Sequence, residues 1–151
     1  MDRTRGRVPP RRRAVAATAL LILVGLAPSA RAGDQPGPCP LVKDADTSVR
    51  GHSRDLIRCA VRHWSVPGGA TTAICIARRE SGLDPRATSG DGLNKGLFQQ
   101  HVDYWDANYD RYTHPYWQLK HSILNGRTNA IVSIRMAHAG GWGPWGGRRC
   151  G

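Results

Sequence analysis

ARRESGLDP, residues 77–85, decides how this sequence is interpreted, because it combines a helix end with the only glutamate of the 151-residue chain, Glu80. Glycine readily adopts the left-handed backbone that closes many helices, and proline cannot continue a helix. Gly82 and Pro85 therefore predict that a helix ends at about Glu80 or Ser81. A carboxylate at a helix C-terminus faces an unfavourable dipole, so helix stability alone does not explain a glutamate there.

The apolar stripe of the same helix leads to Glu80. Ala73, Ile76, Ala77 and Glu80 follow the three-to-four-residue spacing that puts side chains on one helix face. We expect the two preceding arginines to point away from that face. A carboxyl held against apolar surface is harder to ionise, so we expect the pKa of Glu80 to be raised. Such a group can donate a proton near neutral pH, as cleavage of a glycosidic bond requires. The alternative is a solvated residue at a helix end.

Helical spacing extends on both sides of this stretch. The first predicted helix has Ser53 as its N-cap and ends at the turn over residues 65–69, which contains a proline and two glycines. A glycine-rich loop is predicted over residues 84–96, and the C-terminal GWGPWGGRRC is expected to be irregular. The predicted helices cover residues 53–64, about 71–81, 115–124 and 128–140, and Thr128 is the predicted N-cap of the last one. The sequence therefore predicts a small, mainly α domain with long loops.

The N-terminus has the form of a secretory signal. Six arginines among the first 13 residues precede an apolar run over residues 14–27, which is shorter than the roughly 20 residues that a membrane-spanning helix needs. The sequence ARA at 30–32 has the small-x-small form of a signal-peptidase site, although an uncleaved membrane anchor is the alternative. We expect a signal peptide at 1–32, an N-terminal tether at 33–50, the folded domain at 51–151, and a secreted or cell-wall location.

Removal of the predicted signal peptide, residues 1–32, would change the net charge of the protein. The whole chain has 22 Lys and Arg against 11 Asp and Glu, but seven of those arginines and one aspartate lie in residues 1–32. The remainder has a formal charge of +5 rather than +11. This modest excess suits work on an anionic surface such as a bacterial wall. We expect no nucleic-acid partner, because no basic run beyond residue 32 resembles a nucleic-acid patch.

Four cysteines, Cys39, Cys59, Cys75 and Cys150, predict two disulfides in an exported chain. Cys59 and Cys75 each lie six residues from the turn at 65–69, so on antiparallel helices they would face each other. This spacing favours the pairs Cys59–Cys75 and Cys39–Cys150. No CxxC or paired-histidine spacing accompanies them, and we expect no metal and no organic cofactor.

Two motifs around Glu80 resemble those of the soluble lytic transglycosylase (SLT) family, a member of the lysozyme-like superfamily. ESGLDP at 80–85 looks like E-S-x-x-x-P, and GLFQ at 96–99 looks like G-L-(M/F)-Q. Residues 129–139 and GWGPW at 141–145 are similar to the C-terminal helix and ending of small actinobacterial and phage members. The resemblance covers roughly residues 53–145 and implies a lysozyme-like fold.

The resemblance also implies roles for single residues. Glu80 matches the general acid that protonates the β-1,4 bridging oxygen between N-acetylmuramic acid and N-acetylglucosamine in peptidoglycan glycan strands. It would then act as base while the muramic 6-hydroxyl closes a 1,6-anhydro ring, without water. Ser81 would contact the sugar or steady Glu80, and Gln99 would bind an acetamido group. Trp105 and Trp142, together with Trp145, are candidate cleft walls, although a role in the core is equally open for each.

The sequence departs from the family at its third motif, A-Y-N-x-G, whose tyrosine hydrogen-bonds the acid. The comparable residues 137–141 read AHAGG, with His138 at the tyrosine position. Hydrolysis therefore stays open, and an inverting hydrolase needs a second carboxylate about 6.5–9.5 Å from the first. Asp91 is the best candidate for that carboxylate.

We therefore expect a peptidoglycan-cleaving enzyme, of lytic transglycosylase type, that acts as a monomer and without membrane contact once the signal is removed. Three alternatives stay open. The protein could be a hydrolytic lysozyme, a wall-binding module without catalysis, or a basic protein that associates with wall polymers by charge alone, which predicts salt-sensitive binding.

Overall fold

The computed structural model describes residues 37–39, 49–146 and 150. The predicted signal peptide and most of the predicted tether lie outside these residues. Within the described part, no helix is both long and apolar enough to cross a membrane.

Helices make up most of the described chain, as the sequence predicted. Two very short strands, β1 (Asn94–Lys95) and β2 (Gln100–His101), pair antiparallel around the intervening loop. The α-helices are α1 (Val49–His63), α2 (Gly69–Ser81), α3 (Val102–Tyr112) and α4 (Gly126–Gly140), and short 3-10 turns lie at Pro115–Trp117 and Gly143–Trp145.

The core lies where α1 packs against α2 and α4. Each helix contributes a stripe of small and branched apolar residues, and the loop between the strands adds Leu97 and Phe98, both fully buried. Burying one large apolar side chain contributes about 1.5–3 kcal/mol. The loop is therefore part of the core and not a surface connection. The helical core residues include Leu56, Ile57, Ala60, Ala73, Ile76, Ala77, Ala130, Ile134 and Ala137.

Several predicted helix boundaries are wrong. Helix α1 is already formed at Val49, so Ser53 lies inside it and is not its N-cap. Asn125, not Thr128, caps α4, because its side chain accepts the Thr128 backbone N–H at 3.0 Å. No α-helix covers residues 115–124. A short 3-10 turn there ends at Gln118, whose φ of 51° is left-handed.

Two disulfides form, as predicted, but their pairing differs from the prediction. The pairs are Cys39–Cys59 and Cys75–Cys150. Cys59 of α1 is joined to Cys39, and Cys75 of α2 is joined to Cys150. The Thr72 hydroxyl, one turn before Cys75, donates to the Cys150 carbonyl at 3.1 Å, which gives Cys150 a second contact with α2. The prediction assumed that the two helix cysteines face each other, and they do not pair.

Candidate active site

The end of α2 places Glu80. Gly82 has a φ of 64°, and its N–H points to the carbonyl oxygens of Ala77 and Arg78, which closes the helix as the sequence predicted. Leu83 follows in the same left-handed region and is buried. Glu80 lies in the last turn, and its side chain is 26% exposed.

The loop over residues 96–99 places Gln99 beside the glutamate. Gly96 has a φ of 81°, and a Cβ there would lie 2.4 Å from Asn129 Nδ2 and 2.5 Å from the Ile123 carbonyl oxygen. Only glycine fits this close approach without strain. After the two buried residues of the loop, Gln99 has a φ of 49° and its half-buried side chain lines a cleft. The sequence motif therefore corresponds to a turn, two core residues and a cleft residue.

Asn129 holds that loop in place from α4. Its side chain is fully buried, and its Oδ1 accepts the Phe98 backbone N–H at 2.9 Å. Its Nδ2 donates to the carbonyl oxygens of Ile123 at 3.0 Å and Lys95 at 3.3 Å. One buried amide therefore satisfies three backbone groups that would otherwise be unpaired. This role of Asn129 was not predicted, since a polar residue in a helical pattern does not reveal its partners.

Glu80 and Gln99 line the same cleft, which has a volume of about 420 Å³. Amide, hydroxyl and aromatic side chains dominate its wall. Among the described residues that form this wall, Glu80 is the only one with a carboxyl group. The lining residues are Glu80, Ser89, Asn94, Gln99, Gln100, His101, Tyr104, Asn108, Met136, Pro144 and Trp145.

Arg79 contacts the Glu80 carboxylate, against the expectation that it points away. Its Nη2 and Nε donate to Glu80 Oε1 at 2.8 Å and 3.1 Å, and Nη2 also donates to the Trp145 carbonyl oxygen. Glu80 Oε2 has no hydrogen-bond partner among the described residues. The surroundings of Glu80 are therefore polar on the side that faces Arg79. The purely apolar environment expected from the helical stripe is not present.

Ser81 links the end of α2 to the loop that follows β1. Its Oγ lies 2.8 Å from the Leu97 carbonyl oxygen and 3.0 Å from the Ala77 carbonyl oxygen, and its single proton can be donated to one of them at a time. Ser81 does not line the cleft. It ties the end of α2 to the loop that places Gln99, so it steadies the geometry and does not face a ligand.

The amide of Gln99 is held in one orientation. Its Nε2 donates to the carbonyl oxygens of Gly96 at 3.0 Å and Ala87 at 3.2 Å. Both amide protons are thereby used, and Oε1 has no partner among the described residues. Gln99 is therefore available to the cleft as an acceptor, which is narrower than the donor and acceptor role expected from the sequence.

Polar residues beneath the cleft form a network that the sequence did not reveal. The buried Gln100 donates through Nε2 to Ser133 Oγ at 2.8 Å and accepts at Oε1 from Asn108 Nδ2 at 3.3 Å. Asn108 lies one helical turn after Tyr104 on α3, so both reach the cleft. That i, i+4 spacing is the signal that could have identified them. Tyr104 is 66% exposed, and its ring lies 5.2 Å from the His101 ring.

Of the three candidate cleft tryptophans, only Trp145 lines the cleft. Trp105 and Trp142 are buried, with Nε1 donating to the carbonyl oxygens of His121 and Pro67 at 2.6 Å and 2.8 Å. Trp145 is also buried, with its Nε1 donating to the Phe98 carbonyl oxygen at 2.8 Å, although it borders the cleft. The structure therefore places Trp105 and Trp142 in the core, and a core position was the equally open alternative.

Asp91 is exposed and belongs to the loop, not to the cleft wall. Hydrogen bonds from the Ser89 hydroxyl and, second, from the Leu93 backbone N–H lower the pKa of Asp91 below its usual value. A carboxylate stabilised in this way is a weaker base. The structure gives Asp91 the role of closing a turn, and it does not bring Asp91 into the cleft with Glu80.

His138 also lies away from Glu80. It is exposed near the end of α4, and its Nδ1 is 2.7 Å from the Ser65 carbonyl oxygen, which assigns the proton to Nδ1. His138 therefore joins α4 to the α1–α2 turn and does not take the place of a tyrosine that hydrogen-bonds the acid.

One cluster in the described chain has the spacing of metal ligands, formed by Cys39, Cys59 and His63. Its two cysteines are joined in a disulfide, and a disulfide sulfur is not the thiolate that binds metals. This cluster is therefore unsuited to a metal while the disulfide is intact.

No protein-family model, curated protein or solved structure matches this chain. The cleft must therefore be interpreted from its own chemistry.

Proposed function

We propose that the protein is an exported peptidoglycan-cleaving enzyme of lytic transglycosylase type, with Glu80 as general acid and then base. The observation that supports this most directly is a single carboxyl group, Glu80, in a cleft whose remaining described wall is neutral and rich in hydrogen-bonding groups. The resemblance of ESGLDP and GLFQ to the SLT motifs supports the same function, because the fold brings Glu80 and Gln99 to one cleft.

The cleft is suited to an amino sugar. Ligand sites commonly have volumes of about 300–1,000 Å³, and this one has about 420 Å³. The side-chain amides of Asn94, Gln99 and Asn108 can pair with sugar hydroxyls and acetamido groups. The exposed ring of Tyr104 offers a flat surface for the apolar face of a sugar, whereas Trp145 lines the cleft but is buried. Gln99 Oε1 is placed to accept a hydrogen bond from an acetamido N–H.

The proposed reaction needs only one carboxyl group. Glu80 gives its proton to the bridging oxygen as the bond from that oxygen to the anomeric carbon of N-acetylmuramic acid breaks. The resulting carboxylate removes the proton of the muramic 6-hydroxyl, whose oxygen bonds to the same anomeric carbon. One C–O bond breaks and one forms, no water is consumed, and Glu80 recovers its proton. Because Arg79 contacts only Oε1, Oε2 is the oxygen assigned to this proton transfer.

A hydrolytic lysozyme is the second candidate on the same cleft. An inverting hydrolase needs a second carboxylate to activate water, and no second one is present in the described cleft wall. Asp91 does not line that wall, and its carboxylate accepts hydrogen bonds from the cleft residue Ser89 and from the Leu93 backbone N–H. These observations favour transglycosylation.

Product analysis separates the candidates. The chain without residues 1–32 is incubated with purified peptidoglycan, and the released muropeptides are identified by mass spectrometry. Transglycosylation gives 1,6-anhydro ends, whereas hydrolysis gives reducing ends. The Asp91→Asn variant is the matched carboxyl control, and we expect it to release the same products at the wild-type rate. Binding without any cleavage would instead identify a wall-binding module, and salt-sensitive binding without cleavage would indicate association by charge alone.

A further inference from the structure

A second cavity, of about 730 Å³, lies on another part of the molecule. None of its lining residues lines the Glu80 cleft. It is formed by the start of α1, the segment after α2 and the start of α4. The lining residues are Val49, Arg50, His52, Ser53, Leu56, Asp84, Pro85, Arg86, Leu124, Asn125, Gly126 and Arg127.

The cavity wall has an excess of positive charge. Arg50, Arg86 and Arg127 contribute three guanidinium groups, against the single carboxylate of Asp84. Arg127 is partly engaged, since it donates to two backbone carbonyl oxygens of residues 37 and 38. The guanidinium groups of Arg50 and Arg86 have no hydrogen-bond partner among the described residues. Two cationic donors are therefore available beside the cavity.

The N-terminal turns of two helices add partial positive charge to the cavity wall. Helices α1 and α4 each have 15 residues, and the first described turn of α1 and the N-terminal turn of α4 both line the cavity. The N-terminal end of a helix has a partial positive charge and favours anions.

Ser53 provides independent evidence for a ligand. It lines the cavity, it is 1% exposed, and its Oγ has no hydrogen-bond partner among the described residues. Native proteins pair nearly all buried polar side chains. A hydroxyl that is buried at a cavity wall without a partner is explained if a ligand atom accepts its hydrogen bond.

The remaining wall is apolar, with Leu56, Pro85 and Leu124 beside the charged groups. We propose that this cavity binds a small amphiphilic anion. Its carboxylate or phosphate group accepts hydrogen bonds from the Ser53 hydroxyl and the guanidinium groups of Arg50 and Arg86, and its apolar part packs against Leu56 and Leu124. This site is separate from the Glu80 cleft and does not depend on the function proposed for that cleft.

The proposal is tested by measuring the binding of defined probes with isothermal titration calorimetry. NMR shift mapping locates the site. The probes are hexanoate, hexyl phosphate and the neutral hexanamide. We expect at least one anion to bind and hexanamide to bind about tenfold more weakly or not at all, because it lacks the charge. The better anion distinguishes a carboxylate ligand from a phosphate ligand. Absence of binding by both anions would overturn the proposal.

Variants of the site make the test specific. Ser53→Ala is expected to weaken binding of the better anion about fivefold to tenfold. It should not lower the thermal midpoint of the free protein, because the lost hydroxyl has no partner there. Arg86→Gln is expected to weaken binding similarly, whereas Arg62→Gln, an exposed change near the other end of α1, should leave it unchanged.

Two outcomes with these variants would contradict the proposed site. One is unchanged affinity in both Ser53→Ala and Arg86→Gln. The other is loss of binding in Glu80→Gln, which would move the anion to the cleft. Retained binding in Glu80→Gln is the expected result, and it holds whether or not the cleft is catalytic.

Discussion

Arg79 binds one carboxyl oxygen of Glu80, and the other oxygen has no hydrogen-bond partner in the part of the chain that the structure describes. The sequence identified the glutamate because it is unique and ends a helix. It did not identify the partner, because Arg79 was expected to point away, whereas its guanidinium donates to both Glu80 and the Trp145 carbonyl oxygen. Residue spacing within one helix cannot predict the contact between Arg79 and the Trp145 carbonyl oxygen.

If Arg79 positions the acid, its removal should affect turnover more than stability. We expect Arg79→Gln to lower kcat about tenfold with little change in KM, because Glu80 loses its fixed orientation. The loss of stability should stay below about 1 kcal/mol, as is usual for partly exposed ion pairs. Arg79→Lys, which keeps the charge, should recover part of kcat. Steady-state kinetics with soluble glycan fragments provides the measurement, and unchanged kcat in Arg79→Gln would rule out a positioning role.

Asp91 gives the fold a pH dependence of known sign. The Ser89 hydroxyl and Leu93 N–H lower its pKa in the folded protein. Such a carboxyl stabilises the fold at pH values above its unfolded pKa, and this contribution disappears as pH falls through the folded pKa. Asp91→Asn should therefore be less stable than wild type at pH 7, and the difference should shrink below about pH 4. Urea unfolding at several pH values measures this, and a gap that persists undiminished at pH 2 would contradict the assignment.

At the scale of elements, helix ends that depend on nearby residues were predicted correctly, and other boundaries were not. The end of α2 was correct because Gly82 and Pro85 determine it within a few residues. Helix α3 was missed although Val102, Trp105, Tyr109 and Tyr112 follow its helical spacing. Of these four residues, only Trp105 is fully buried. The helix predicted over residues 115–124 was wrong because Gln118 adopts a left-handed backbone, which its residue type does not signal. Ser53 suited an N-cap by type, but helix α1 is already formed upstream of it.

A substitution in the loop of residues 96–99 tests most directly whether close packing at Gly96 positions this loop. Gly96→Ala puts a Cβ against Asn129 and the Ile123 carbonyl oxygen at a positive φ. We expect a loss of about 1–3 kcal/mol in the free energy of unfolding, together with reduced turnover, because Gln99 and the Phe98 N–H shift with the loop. Gly90→Ala is the matched control in the adjoining loop, where a Cβ would meet nothing within 4 Å. Equal stability of the two variants by urea unfolding would show that the close approach at Gly96 is absent.

At the scale of the whole molecule, the number of disulfides was predictable and their pairing was not. An even cysteine count in an exported chain predicts the number. The pairing depends on how the two chain ends cross α1 and α2, which is set by tertiary contacts such as the one from Thr72 to Cys150. The same limit applies to the cleft. Its motif residues were visible, but Tyr104, Asn108 and Met136 reach it only through the packing of α3 and α4.

The observed pairing predicts unequal contributions to stability. Cys39–Cys59 closes a loop of 20 residues and Cys75–Cys150 one of 75. Chain entropy then gives about 3 kcal/mol for the first and about 4.5 kcal/mol for the second. Replacing each pair with serines should therefore lower the unfolding midpoint in urea more for Cys75 and Cys150. Mass spectrometry of unreduced peptides checks the pairing itself, and a peptide linking Cys59 to Cys75 would refute it.

The central claim, that Glu80 performs the proton transfers of glycan cleavage, is tested most directly by comparing Glu80→Gln with wild type on purified peptidoglycan. The substitution keeps the shape of the side chain and removes its acid. The account predicts that wild type releases 1,6-anhydro muropeptides, and that the variant still binds the glycan but releases almost none. Release of the same products by Glu80→Gln at the wild-type rate would contradict it.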